Sequence, residues 1–136
     1  VQTCALPIYV TGVKWLVERP RPITSVGSDL LPGDPSFPSG HTAAAVIVSV
    51  MMILTVRNFA RKRFPDGEDD GRANGRRVFL RRAVIGAVAL VVAVACSRLL
   101  LGLHYPTDVI ISATICPLIS YAVWCVWNAY ESAAER

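Results

Sequence analysis

An all-α, membrane-integral helical bundle is the fold class this sequence predicts, on three observations. More than half of the 136 residues are apolar (53%), only 18% are charged, and the mean hydropathy is +0.44. Soluble domains carry roughly a quarter charged residues, and disordered chains need low hydrophobicity with high net charge, so both classes are excluded. Three long stretches are nearly free of charge, and the net charge of +4 is concentrated between two of them.

The elements follow in chain order. Residues 1–8 (VQTCALPI) read as a non-native, adapter-derived segment, which makes 9–136 the domain and its N-terminus truncated. Residues 8–17 read as the tail of a further span. The first full span is expected over about 41–60. Its charge-free part, Thr42–Val56, is only 15 residues, and a span needs about 20. His41, residues 58–60 and a snorkelling Arg57 supply the remainder. The second span is expected over 83–103, with Arg98 its single charge. Val84–Cys96 is apolar or glycine at every position, without the polar face of a helix in a soluble bundle. The third is expected over 109–130, uncharged and ending in Trp124, Trp127 and Tyr130, as the headgroup region favours.

Residues 57–82 hold nine basic residues against four acids and are expected to be a cytoplasmic loop. Its centre, PDGEDDGRANG, lacks apolar periodicity and is expected to be flexible. A basic patch can mark nucleic acid, but between two spans the positive-inside rule accounts for it, so no nucleic-acid partner is implied. The four cysteines, Cys4, Cys96, Cys116 and Cys125, include no C-x-x-C pair. They are read as buried, unpaired thiols rather than a metal site.

With 57–82 inside, the segments near 14–22, 38–41 and 98–108 meet on the outer face. Both histidines, His41 and His104, fall there, with Lys14, Arg19, Arg21, Arg98 and Asp108. An arginine about one and a half turns inside an apolar helix needs a partner, which marks Arg98 as functional. Arginine and lysine in excess over carboxylates make an anion pocket, and the guanidinium fork suits phosphate oxygens. Pro38-Ser39-Gly40-His41 opens a helix: Ser39 offers a hydroxyl, Gly40 close backbone approach, and the helix start free N–H groups. His104 and Asp108 are four apart, so the carboxylate can accept a proton from one ring nitrogen and leave the other as a lone pair. Pro106 favours a helix start between them. His41 can then protonate a departing oxygen. These are parts for phosphoryl transfer without a metal or other cofactor; Asp29 and Asp34 are read as turn residues.

The stretches Lys14-(WLVERP)-Arg21-Pro22, Pro38-Ser39-Gly40-His41 and Ser97-Arg98-(LLLGL)-His104-(YPT)-Asp108 resemble the three-part signature of the type 2 phosphatidic acid phosphatase (PAP2) superfamily. The matching segment runs from 14 to 108. The resemblance implies a multi-pass membrane phosphatase, with His104 as the nucleophile forming a phosphohistidine, Asp108 orienting it and His41 as the acid. It implies Lys14, Arg21 and Arg98 on the phosphoryl oxygens, hydrogen bonds from Ser39 and the Gly40 backbone, and a supporting role for Ser97. Membrane members of the family usually carry six spans with the signature in the second half, so three spans plus a partial one correspond to the C-terminal half of that fold.

The expected substrate is a lipid phosphate or diphosphate, phosphatidic acid-like or undecaprenyl diphosphate-like, hydrolysed at the extracytoplasmic face of a cell membrane. Membrane lipid is the surrounding medium, and no obligate protein partner is evident. Twelve arginines against two lysines point to a GC-rich bacterial genome. Two alternatives stand beside this reading. One is a vanadate-dependent haloperoxidase-like enzyme, which shares the signature but is soluble; the other is a non-catalytic lipid-binding membrane bundle.

Overall fold

The computed structural model describes residues 2–22, 33–63 and 70–134. They form four α-helices, α1 (Gln2–Val17), α2 (Gly40–Arg63), α3 (Asp70–Leu100) and α4 (Pro106–Ala134), with no strand among the described residues. α2, α3 and α4 are each long and apolar enough to cross a membrane. At 1.5 Å per residue the shortest of them, α2 with 24 residues, is about 36 Å long, more than the roughly 30 Å hydrocarbon core.

The helices differ from their sequence limits at the polar ends. The connection between α2 and α3 is much shorter than 57–82: α2 continues to Arg63 and α3 starts at Asp70. Arginine and lysine are good helix formers, so the basic stretches extend the helices beyond the apolar windows. Residues 70–75 of the stretch expected to be flexible are helical, while 64–69 lie outside the described residues. α1 begins at Gln2, so positions 2–8 are helical.

Each helix end that faces the site is shaped by local chemistry. α1 ends with Glu18 in the left-handed region (φ 47°), its N–H donating to the Lys14 carbonyl at 2.9 Å. This single-bond cap holds a non-glycine residue where the backbone costs about 1 kcal/mol or more. The chain then turns into Arg19-Pro20-Arg21-Pro22, kept out of helix by its prolines. Ser39 caps α2: its Oγ accepts from the Thr42 N–H at 3.4 Å and from the Thr42 hydroxyl at 3.0 Å. α3 ends in a Schellman motif, with Gly102 at φ 64°, its N–H on the Leu99 carbonyl at 2.9 Å and the Leu103 N–H on the Arg98 carbonyl at 3.1 Å. α4 opens with Pro106 in its first position. Asp108 reaches back to the Tyr105 N–H at 2.9 Å, one arm of a capping box with Asp in place of Glu.

α2 and α3 form a helical hairpin, closed at its basic end by Phe59 and Phe79 (ring centroids 6.1 Å apart). Small residues let the two backbones approach: Ala87 of α3 is buried, and its carbonyl accepts from Ser49 Oγ at 3.2 Å. α1 and α4 pack on α2 around Val10, Ala43, Val46 and Cys116. Most of α3 is uncovered, with Ile85 at 58%, Val88 at 57% and Val92 at 52% exposure. A soluble core helix would bury these side chains; facing lipid or other apolar protein, they need no burial within the chain. The same reason corrects the cysteine expectation. Cys116 is buried, but Cys96 and Cys125 lie on outward faces of α3 and α4.

Candidate active site

Four segments meet at one end of the bundle around a cavity of about 360 Å³, lined by Lys14, Arg21, Asp34, Gly40, His41, Ala44 and His104. The cap geometry puts them there. The left-handed turn after α1 brings Arg21 beside Lys14, the Ser39 cap sets Gly40 and His41 at the start of α2, and the Schellman turn delivers His104 from α3. The first-turn amides of α2, Gly40 and His41 among them, have no intrahelical acceptors. A Cβ added at Gly40 would meet only Val10 Cγ1, at 3.8 Å. Packing within the protein therefore does not demand glycine there.

Lys14 and Arg21 are nearly buried, their side chains 12% and 9% exposed, and both pair with the half-exposed carboxylate of Asp34. Lys14 Nζ donates to that carboxylate and to the Pro35 carbonyl at 2.6 Å. Arg21 donates to the Asp34 carboxylate at 2.6 Å, to the Asp34 carbonyl at 3.1 Å and to the Leu103 carbonyl at 2.9 Å. Lysine has three N–H donors and arginine five, so about three remain for a ligand. Partial burial pulls the Asp34 carboxyl upward, but hydrogen bonds and charge from Lys14 and Arg21 outweigh it and lower its pKa to about 2. Two nearly buried cations against one carboxylate leave the wall net positive, a seat for an anion.

His104 is buried, and its Nδ1 lies 2.7 Å from the Ser36 carbonyl oxygen. A carbonyl only accepts, so Nδ1 carries the proton and Nε2 keeps the lone pair. Asp108 Oδ2 is 3.5 Å from the same nitrogen. The direct imidazole–carboxylate hydrogen bond expected from the four-residue spacing thus gives way to a bond with a backbone carbonyl. The cause is local: Oδ2 is drawn back to the Tyr105 N–H, and Oδ1 accepts from Arg19 at 2.8 Å. Burial lowers the His104 pKa, followed by the Arg21 charge, against the opposing Ser36 hydrogen bond and Asp108 charge, with Lys14 lowering it further. The two largest of these influences favour the neutral ring.

Of the residues singled out from sequence, Lys14, Arg21, Gly40, His41 and His104 share the cavity wall. Asp108 is fully buried behind His104, and Ser39, also fully buried, has its hydroxyl in the α2 cap. Arg98 is outside the wall. α3 ends at Leu100 rather than 103, so Arg98 sits in its last turn, with Nε on Ser97 Oγ at 3.1 Å. Three residues carry more of the site than their sequence signal indicated. Asp34, read as a turn residue, is the counter-ion of both cations. Ser36, buried completely, accepts from His104 while its N–H donates to the Arg19 carbonyl at 2.8 Å and its hydroxyl to the Pro20 carbonyl at 3.1 Å. Arg19 pairs with Asp108. No spacing rule connects these residues, and only the need of buried Asp108 for a cation could have pointed to one of them.

An apolar helical bundle of membrane type, with two imidazoles and two nearly buried cations around one cavity, defines the class of molecule. The family model of the PAP2 superfamily matches residues 2–131, and the chain belongs to that superfamily. No curated protein and no solved structure matches it.

Proposed function

We propose that the chain is a membrane phosphatase hydrolysing a lipid phosphate or diphosphate, phosphatidic acid-like or undecaprenyl diphosphate-like, at the extracytoplasmic face of a bacterial cell membrane. The observation that carries this reading is the shared cavity of His104, His41, Lys14 and Arg21. Nε2 of His104 attacks phosphorus, forming an N–P bond as the bond to the lipid oxygen breaks. His41 gives its proton to that oxygen. Lys14 and Arg21, with the first amides of α2, stabilise the charge on the phosphoryl oxygens. Water then attacks the phosphohistidine, His41 takes the water's proton, and phosphate leaves with His104 neutral again. Asp34 and Asp108 are already paired with cations, and the scheme uses no metal. Arg98 would join the phosphoryl group by swinging from Ser97.

Phosphate release from a panel of detergent-solubilised lipid phosphates, assayed in EDTA, tests the scheme. Activity is expected to survive chelation and to disappear in His104→Ala, together with an acid-labile, base-stable phosphoenzyme. Full activity in that variant, or a strict requirement for added Mg²⁺, would overturn it.

A further inference from the structure

Asp108 is buried completely, and its nearest positive charge belongs to Arg19 rather than to a protonated His104. Arg19 NH1 lies 2.8 Å from Asp108 Oδ1 and 2.6 Å from Thr107 Oγ1, and the guanidinium carbon stands 4.0 Å from the centroid of the Tyr105 ring. One side chain thus touches Tyr105, Thr107 and Asp108 around the start of α4. The backbone of the same residue accepts from Ser36, whose own carbonyl accepts from His104. Arg19 therefore reaches the imidazole by two routes, through Asp108 and through Ser36, without lining the cavity.

We propose that Arg19 is a positioning residue for His104, neutralising Asp108 and holding its carboxylate off Nδ1, so that the Ser36 carbonyl orients the ring and the imidazole stays unprotonated. A carboxylate within about 4–6 Å of an imidazole raises its proton affinity by about one to three pH units when nothing compensates it. Here Arg19 is the compensation. The other charged or titratable groups around His104 are Lys14 from α1, Arg21 from the segment after it, Asp34 from the loop before α2 and His41 from α2, while Arg98 ends α3. None of these binds the Asp108 carboxylate in the structure. The role as nucleophile rests on the phosphatase reading, but the charge pairing does not.

Ring-nitrogen NMR of histidine-labelled protein in detergent, with His104 assigned through His104→Gln, measures the pairing without substrate. In Arg19→Gln the His104 midpoint is expected to rise by about one to two pH units. In the double variant Arg19→Gln/Asp108→Asn it is expected to return to the wild-type value or below. An unchanged midpoint in folded Arg19→Gln would overturn the proposal. Should that variant not fold, Arg19→Met takes its place. Methionine keeps an apolar stem beside Tyr105 but not the charge, so a rise of the same order is expected and no rise counts against the proposal. The acid limb of kcat/KM should move up in parallel, with activity lost on the acid side and recovered on the alkaline side. A shifted midpoint in a protein that hydrolyses no lipid phosphate would sink the phosphatase reading alone. His104-dependent hydrolysis with an unmoved midpoint would sink the pairing alone.

Discussion

At the scale of single residues, the site is organised by who neutralises whom. Asp108 and His104 have the spacing of a carboxylate–imidazole pair, yet the carboxylate is drawn to Arg19 and a backbone N–H, and the Ser36 carbonyl accepts from the ring N–H. Asp34 does the corresponding work for Lys14 and Arg21. Its carboxylate is part of the cavity wall, so an incoming phosphoryl group meets it as a like charge beside two attractive ones. Asp34→Asn keeps an acceptor but removes that charge. Inorganic phosphate is therefore expected to inhibit the variant several-fold more tightly than the wild type, measured as a competitive inhibition constant at low salt. Weaker inhibition would mean that the carboxylate chiefly holds the two cations in place.

At the scale of elements, the helices were legible where lipid dictates composition and less so where it does not. Thr42–Val56, Val109–Tyr130 and all but the last three residues of Ala83–Leu103 lie within α2, α4 and α3, because an apolar run in lipid has no structured alternative to helix. The polar ends carry no such constraint, so α2 and α3 run into the basic connection; at its other end α3 stops at Leu100, short of the expected 103. That stop belongs to Gly102, whose positive φ closes the Schellman turn two residues before His104. Gly102→Ala is expected to lose about 1 kcal/mol of stability, read by denaturant unfolding in detergent, and to lower kcat/KM by displacing His104. Unchanged stability and activity would show that the turn tolerates another conformation.

At the scale of the whole molecule, the two imidazoles and the cations lie at one end of the bundle, and α2 ends and α3 begins away from it, at Arg63 and Asp70, the two ends of the connection between them. In the proposed topology that connection is cytoplasmic, as the positive-inside rule expects. In a cysteine-free background, Gly33→Cys is expected to react with an impermeant maleimide in intact cells, and Gly67→Cys only after permeabilisation. The reverse pattern would turn the protein over in the membrane. The bare face of α3 is the other feature at this scale, since its exposed Ile85, Val88 and Val92 are stable only against lipid or further apolar protein.

The sequence by itself determined the all-helical membrane class and which chemical groups one end of the bundle could gather. Both are carried by composition and by a spaced motif, properties local to the chain. The tertiary structure decided how those groups divide the labour. Ser39 is turned into a cap, Arg98 stands outside the wall, Asp34 serves as counter-ion, the Ser36 carbonyl accepts from the imidazole, and Arg19 pairs with Asp108 behind it. Hydrogen-bond partners at 2.6–2.9 Å between residues 68 to 89 positions apart depend on where helix ends point, and no local pattern of letters encodes that direction.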